Sequence, residues 1–467
     1  MAQEVTGGHM PYRKCIVGGG SERQFIKQWQ PTANCDPERT GHARLYLEKE
    51  AAVYDQLAAQ NYPYTPAHSY DATADCLILA ALRPDDGWQW RAPYDATDRY
   101  INDAFAALDA LPNITADHPE IRASHDTLLK EGWGDMAPRE EAVMAHLDAM
   151  GGNAAADLRA IIGAHRYIAA LLETAEPTHL AHHDCRQSNI AWHAEHGVRL
   201  VDWSWASAGL VDADHTALLI DLHKYGHDVA PYLARFNPVH ALLLIGFWLA
   251  HSTYPAGPDP RVREQQIASS IAACELLRRT SPLLDILIKL PEGRGQLWHD
   301  GANPTADAIL ITNEPTPRIL MIQRRDTGQW ALPGGFVDNS EGAITAARRE
   351  LQEETGLLAP SEEPTLIYHG LVADPRSTRQ SWPSTTACLW RVDAPQPAQA
   401  GDDATNATWL PINTLTPDEL YGSHYWLIQR ALGRQPSDQP TALVSRHATL
   451  AAQSPTGSAP ESPQNRT

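Results

Sequence analysis

The segment from residue 335 to residue 357 constrains this chain more than any other part of the sequence. It reads GFVDNSEGAITAARRELQEETGL. Apolar residues recur in it three and four positions apart: Ala343, Ile344, Ala347 and Leu351. That spacing predicts a helix from Glu341 to Glu354 with one face on a core. Glu350, Glu353 and Glu354 then lie together on another face.

The chemistry of those three glutamates points to a cation. Carboxylates one helical turn apart repel each other, and a bound cation removes the repulsion. Carboxylate oxygens are hard ligands that suit Mg²⁺ or Mn²⁺, and such an ion can offset charge on a pyrophosphate and lower the pKa of an attacking water. We therefore predict a metal site at Gly335, Glu350, Glu353 and Glu354, with Glu353 and Glu354 also catalytic. The alternative is a solvated acidic helix face.

The same segment fills every fixed position of the Nudix box and so resembles Nudix hydrolases. The resemblance implies cleavage of a nucleoside diphosphate linked to a second group. Flanking segments narrow that group. In order along the chain they are RRDTGQWALPGGFVD, DPRSTRQSW, AGDDATNATWLPI and LYGSH. They resemble the mitochondrial ADP-ribose pyrophosphatase family and the related domain of an ADP-ribose-gated cation channel.

By that resemblance Asp374, Arg376 and His424 would line an ADP-ribose site. An arginine is suited to this role because its guanidinium can hold phosphate oxygens through two hydrogen bonds. All box glutamates are present, which favours hydrolysis to AMP and ribose 5-phosphate. Two alternatives stay open: an ADP-ribose sensor that regulates a kinase domain in the N-terminal half, and a pyrophosphatase for another nucleoside diphosphate compound.

Three further residues occupy matching segments without a settled role. They are Trp382, Asp402 and Asp403. Trp382 is a candidate to stack on adenine, although a tryptophan in a core is the commoner case.

A second motif lies in the N-terminal half, in HLAHHDCRQSNIAWHAEHGVRLVDWSWASAG. His182, Asp184 and Asn189 have the spacing H-x-D-x4-N, and Asp202 follows a short apolar strand. A loop aspartate that accepts a hydroxyl proton, an asparagine and a second aspartate supply a base and two metal ligands for phosphoryl transfer.

This half resembles the aminoglycoside phosphotransferase-like, or choline-kinase-like, branch of the protein kinase fold. By the resemblance Lys27 would hold the phosphates of ATP and Glu50 would pair with Lys27. Asp184 would be the catalytic base, and Asn189 and Asp202 would bind Mg²⁺. The alternative is a kinase-like scaffold that no longer phosphorylates anything. The sequence does not identify the acceptor.

The chain is therefore expected to form two domains, an α+β protein-kinase-like fold followed by an α/β/α Nudix fold. We place the kinase-like domain at residues 1–285, a Pro/Gly-rich linker at 286–302 and the Nudix domain at 303–433. Residues 434–467 are rich in Ser, Pro, Gln and Thr and are predicted to be a disordered tail, because they cannot bury enough apolar surface.

Composition excludes several other classes. A net charge of −20 and a pI near 5.4 argue against a nucleic-acid or anionic-membrane surface. The six cysteines show no CxxC pairing, and the most apolar run, HALLLIGFWLAH, is too short to span a bilayer and is predicted to be a buried helix. We expect a cytoplasmic protein that uses Mg²⁺ (or Mn²⁺) and ATP and acts on small molecules, with no nucleic-acid or membrane partner. The sequence leaves the oligomeric state open.

Overall fold

The computed structural model divides the chain into two compact units. The first comprises Met1–His165 and Ala175–Ser281, and the second comprises Arg166–Thr174 and Pro282–Thr467. The structure describes residues 3–5, 12–19, 22–30, 37–255, 261–401 and 404–434, with the backbone alone for 37–41. The domain limits and the linker expected from the sequence stay predictions.

Some features of the sequence analysis lie outside the described residues. These are Asp402, Asp403 and all of the expected disordered tail after Arg434.

Up to residue 281 the chain alternates short strands and helices. The strands are β1 (Gln3–Glu4), β2 (Tyr12–Val17), β3 (Gln24–Trp29), β4 (His68–Asp71), β5 (Cys76–Ala80), β6 (His179–Ala181), β7 (Ile190–His193), β8 (Gly197–Leu200) and β9 (Ser207–Gly209). The helices are α1 (Pro37–Ala59), α2 (Thr97–Asp109), α3 (Ser124–Lys130), α4 (Glu140–Met150), α5 (Gly152–Ile162), α6 (His165–Glu173), α7 (Ala213–Lys224), α8 (Pro238–Ser252) and α9 (Arg261–Thr280).

An antiparallel sheet of order β1-β2-β3-β5-β4 positions the first candidate site. Lys27 lies in β3, opposite Lys14 of β2 and Leu77 of β5. Further along, β6 pairs with β9 and β7 pairs with β8. Asp184 therefore lies in the connection between β6 and β7, and Asp202 follows the end of β8.

The apolar run predicted to form a buried helix is α8, and that prediction is confirmed because most of its residues are buried. The Asn237 side chain caps its first turn by accepting hydrogen bonds from the N–H groups of Val239 and His240. Pro238 occupies the first helical position, where its missing N–H costs nothing. Within the described chain, no helix has the length and apolar character needed to cross a bilayer.

The second unit is built on one mixed sheet. Its later elements are α10 (Leu283–Lys289), β10 (Gly301–Thr312), β11 (Arg318–Arg324), β12 (Trp330–Ala331), β13 (Gly334–Phe336), α11 (Ala343–Thr355), β14 (Thr365–Leu371), β15 (Ser381–Val392), β16 (Ala404–Pro411) and α12 (His424–Ala431). The sheet order is β12-β11-β10-β15-β14, with β13 on β10 and β16 on β11. Strands β10 and β15 are parallel, and the other pairs are antiparallel.

Helices cover both faces of this sheet. Successive residues of a strand point to opposite faces, so Leu310 of β10 packs in one cluster with Leu351 of α11. Ile309 and Ile311 pack in a second cluster with Ile428 of α12. A strand buried on both faces is continuously apolar, as β10 is from residue 308 to residue 311.

The helix predicted from the box glutamates is confirmed as α11, which begins at Ala343, two residues later than expected. Ile344 was predicted wrongly to face the core, since it is 36% exposed. It lies in the first turn, before the part of the helix where Ala346, Ala347 and Leu351 are buried.

Arg379 ties the segment before β10 to the loop before β15. Its guanidinium donates to the carbonyl oxygens of Leu290, at 3.1 Å, and Ile288, at 2.9 Å, and its backbone N–H donates to the carbonyl of Pro291. Residues 288–291, which precede the Nudix box in sequence, are therefore fixed to a loop that carries predicted substrate contacts.

Replacing Arg379 with alanine is expected to destabilise the second unit by about 1–3 kcal/mol, because two carbonyls lose a charged donor. Denaturant unfolding of the full chain measures the loss. Arg391→Ala removes an exposed arginine on the same sheet and is the matched control. Equal unfolding free energies for the two variants would contradict the role given to Arg379.

Candidate active sites

The first candidate site is organised by a buried lysine between two carboxylates. Lys27 is 5% exposed, and its Nζ lies 2.6 Å from Glu50 Oε2 and 2.9 Å from Asp202 Oδ1. Burial alone would lower the pKa of Lys27, but Asp202 and Glu50 outweigh it and raise that pKa. The structure thus brings together three of the residues predicted from the sequence, and the lysine stays charged.

The loop that follows β6 holds the predicted base. Asn189 Nδ2 donates to Asp184 Oδ2 at 2.8 Å and to its backbone carbonyl at 2.9 Å, and Arg186 Nε lies 3.1 Å from Asp184 Oδ1. Buried Asp214 accepts hydrogen bonds from the backbone N–H groups of His182 and His183 and so fixes the start of the loop. The sequence analysis did not identify Asp214, which belongs to no motif.

Asp202 has a φ of 66°, a conformation that costs free energy in a residue other than glycine. It directs Oδ1 at Lys27 and accepts a hydrogen bond from Ser204. Asn189 and Asp202 line the same cavity, so hard oxygen donors border it as a Mg²⁺ site requires.

That cavity measures about 520 Å³. Lys27, Glu50, Asn189 and Asp202 line its polar end. Its remaining wall is largely apolar and includes Ile16, Phe25, Pro66 and Leu79. A charged end and an apolar wall fit the phosphates and the base of a nucleotide.

A second cavity, of about 420 Å³, contains Asp184 and shares Ser188 with the first. Its aromatic lining is formed by Trp205, Tyr225, Phe247 and Trp248. Three cations also line it, namely Arg91, Arg186 and Lys224. The predicted base therefore faces a space large enough for a small acceptor.

The second candidate site forms where β13 meets α11. The N–H of Gly334 donates to Glu354 Oε2 at 2.9 Å. A side chain at Gly335 would overlap the carboxylate of Glu350. Glycine is required there because the backbone approaches the glutamates closely.

Arg349 draws several carboxylates together. Its guanidinium lies 2.6 Å from Glu341, 2.7 Å from Glu350 and 2.9 Å from Glu353. These bonds raise the pKa of Arg349, with Glu341 contributing most. Over the residues that the structure describes, no cluster of three or more His, Cys, Asp or Glu side chains is arranged to hold a metal ion. Two of the predicted ligands bind Arg349 instead, and the metal set stays a prediction.

Glu354 and Asp307 lie in a carboxylate-rich, buried environment. Burial raises the pKa of Glu354 to about 8, and Glu350 and Asp307 add to the effect. Burial likewise raises the pKa of Asp307 to about 6. Arg324 and Arg376 offset these shifts only in part. Carboxylate oxygens are the hard donors that Mg²⁺ or Mn²⁺ prefers, so the donor types present fit such an ion.

The predicted substrate residues Asp374 and Arg376 form a two-bond ion pair. Arg376 Nε lies 2.9 Å from Asp374 Oδ1, and Nη2 lies 2.7 Å from Oδ2. The guanidinium also stands 5.3 Å from the ring centroid of Phe336, the last residue of β13. Asp374 thus holds Arg376 next to the glycines that adjoin the glutamates.

His424 lies at the other predicted contact segment. Its Nδ1 accepts a hydrogen bond from the N–H of Leu332 at 2.7 Å, and its Nε2 lies 4.0 Å from Asp307 Oδ1. Trp382 is 5% exposed and packs edge to face against Tyr167, with ring centroids 5.7 Å apart. Trp382 was a candidate either to stack on adenine or to lie in a core, and it is found in a core.

Three residues near the predicted substrate contacts were not predicted from the sequence. They are Asp307, Arg324 and Tyr421. The guanidinium of Arg324 stands 4.2 Å from the Tyr421 ring centroid, and the Tyr421 hydroxyl lies 3.5 Å from Asp374. Arg324 was visible in the segment RRDTGQW, but its partner is almost a hundred positions away and no spacing connects them.

Comparisons with known proteins confirm both resemblances. Residues 302–431 match the NUDIX domain family, and residues 17–238 match the phosphotransferase enzyme family. A putative nudix hydrolase 6 of Caenorhabditis elegans is 36% identical over 146 residues, which are 28% of this chain and 55% of that protein. The mitochondrial ADP-ribose pyrophosphatase of Rattus norvegicus is 31% identical over 175 residues, 29% of this chain and 49% of that protein.

The chain thus spans about half the length of these curated relatives. Among solved structures, the NUDIX domain of Shewanella oneidensis NrtR, cocrystallised with ADP ribose, is 26% identical. The match covers 29% of this chain and 88% of that one, with a TM-score of 0.25.

The raised pKa of Glu354 predicts that metal affinity depends on pH. Mg²⁺ needs the ionised carboxylate, so below about pH 8 binding must release a proton and should weaken up to about tenfold per pH unit as the pH falls. Isothermal titration calorimetry at pH 6.5, 7.5 and 8.5 tests this. Glu354→Gln should remove the pH dependence, whereas Glu363→Gln, at an exposed position, should keep it. A Mg²⁺ affinity of the unaltered protein that does not change with pH would contradict it.

Proposed function

We propose that this chain, which joins a domain of the phosphotransferase enzyme family to a NUDIX domain, hydrolyses ADP-ribose to AMP and ribose 5-phosphate. The observation that carries the proposal is the meeting of Glu350 and Glu354 with the glycines of β13, beside an arginine held in place by Asp374. Glu353 joins them through Arg349, which also binds Glu350. The relative named mitochondrial ADP-ribose pyrophosphatase supports the choice of substrate.

In the proposed reaction a water oxygen forms a bond to one phosphorus of the pyrophosphate, and the bond from that phosphorus to the bridging oxygen breaks. The water's proton passes to a carboxylate oxygen of Glu353 or Glu354. Arg376 donates to phosphate oxygens, and Asp374 keeps its guanidinium oriented. A bound Mg²⁺ or Mn²⁺ at the box glutamates would offset the charge that develops on the leaving phosphate.

The N-terminal unit supports a second activity, transfer of the terminal phosphoryl group of ATP to a small-molecule hydroxyl. The specific observation is that Lys27, Asn189 and Asp202 line one cavity while Asp184 lines the next. Asp184 would accept the proton of the acceptor hydroxyl as oxygen attacks phosphorus, and Lys27 would hold phosphate oxygens. Asn189 and Asp202 would hold the Mg²⁺ that accompanies ATP.

The first test is a panel of nucleoside diphosphate compounds, including ADP-ribose, incubated with Mg²⁺ and assayed for AMP. Glu354→Gln is expected to lower kcat/KM for ADP-ribose at least about a hundredfold, because the substitution removes a charged carboxylate from the reacting centre. Glu363→Gln serves as the control. If the unaltered protein binds ADP-ribose but releases no AMP, it is a sensor, and if another compound is hydrolysed far faster, the substrate assignment is wrong.

The second test measures ATP consumption with a panel of sugars, nucleosides and amino alcohols. Asp184→Asn is expected to abolish acceptor-dependent consumption, because the group that receives the proton is lost. Asp126→Asn changes an exposed aspartate of the same unit and should leave the rate unchanged. If the unaltered protein neither binds ATP with Mg²⁺ nor consumes it with any acceptor, the unit is a scaffold.

A further inference from the structure

We infer that Trp298, standing on Phe336, is the surface on which the purine base of the nucleoside diphosphate substrate stacks. The inference rests on the proposed hydrolysis for the identity of the ligand. It assigns a binding role to a residue that precedes the matched NUDIX segment in sequence.

Trp298 is exposed in a way that is unusual for tryptophan. The residue is 58% exposed, although tryptophan is strongly buried on average. One face contacts Phe336, with ring centroids 4.4 Å apart and an angle of 33° between the ring planes. A large aromatic surface therefore stays open to solvent beside a second ring.

The backbone around Trp298 is fixed. Its N–H donates to Asn303 Oδ1 at 3.0 Å, and its carbonyl accepts a hydrogen bond from Arg294 at 2.8 Å. Asn303 is fully buried, and its side-chain amide donates to the carbonyls of His299 and Gly301. The ring is thus presented by an ordered turn, and little conformational entropy is lost when a ligand stacks on it.

The aromatic pair lies next to the groups proposed to act on the phosphates. Phe336 directly follows Gly335, and its carbonyl accepts a hydrogen bond from Arg349, the residue that binds Glu350 and Glu353. Arg376 stands 5.3 Å from the Phe336 ring centroid. A nucleotide whose phosphates reach Arg376 and the glutamates has its base within reach of the aromatic pair.

A purine base is the occupant that this surface fits best. Stacking of a base on an aromatic side chain contributes about 1–3 kcal/mol and tolerates different bases, since every base has a π face. In the proposed site Arg376 binds phosphate oxygens, so the ring surface is left for an uncharged planar group. The ribose 5-phosphate half of ADP-ribose has no such group.

The test is the dissociation constant of ADP-ribose, measured by isothermal titration calorimetry on the full chain. Trp298→Ala is expected to weaken ADP-ribose binding about tenfold, and Trp298→Phe, which keeps a ring, less than about threefold. The affinity for ribose 5-phosphate should not change in either variant. Leu358→Ala, at a 71% exposed site of the same unit, is the control. Unchanged thermal unfolding shows that each variant is folded.

Three results would overturn the inference. One is an ADP-ribose affinity that Trp298→Ala leaves unchanged. Another is an equal loss for ADP-ribose and ribose 5-phosphate, which would place Trp298 on the sugar-phosphate side. The third is a change of oligomeric state of Trp298→Ala in size-exclusion chromatography, which would make the surface a contact between copies. Binding that depends on Trp298 without AMP release would refute the proposed hydrolysis and leave the stacking inference standing.

Discussion

The mutual repulsion of carboxylates on one short helix is the constraint that shapes the second unit. Glu350, Glu353 and Glu354 all project from α11, and Glu341 lies just before it. Arg349 meets three of the four glutamates, but Glu354 is left buried with a backbone N–H as its donor. The two glycines of β13 let the backbone approach these carboxylates closely, and burial raises the pKa of Glu354 to about 8, which reduces the repulsion near neutral pH.

In the first unit, too, a buried charge needs partners of opposite sign. There the buried group is a cation, Lys27, and two carboxylates surround it. A buried charge is tolerated when partners at hydrogen-bond distance replace water. Lys14 lines the same cavity and adds a second positive charge close to Asp202.

The parts that could be predicted from sequence are those that local spacing determines. The helix under the box glutamates follows from residues three and four apart, and Asp184 and Asn189 lie five apart in one loop. The resemblance placed Lys27, Glu50 and Asp202 in one site, and the structure brings them within hydrogen-bond distance. Spacing alone could not connect Trp298 with Phe336, Arg324 with Tyr421, or Asp214 with the loop after β6, because only tertiary packing joins these pairs. Trp382 is the opposite case. Its segment suggested a ligand contact, but the residue is buried and packs against Tyr167.

The position of helix α6 in the sequence affects the order in which the second unit is synthesised. Residues Arg166–Thr174 belong to the second unit, although the chain on either side of them builds the first. Their apolar side chains, Tyr167, Ile168, Leu171 and Leu172, are almost completely buried. During translation this segment leaves the ribosome before residues 282–434, so the second unit can be completed only after all of the first has been synthesised.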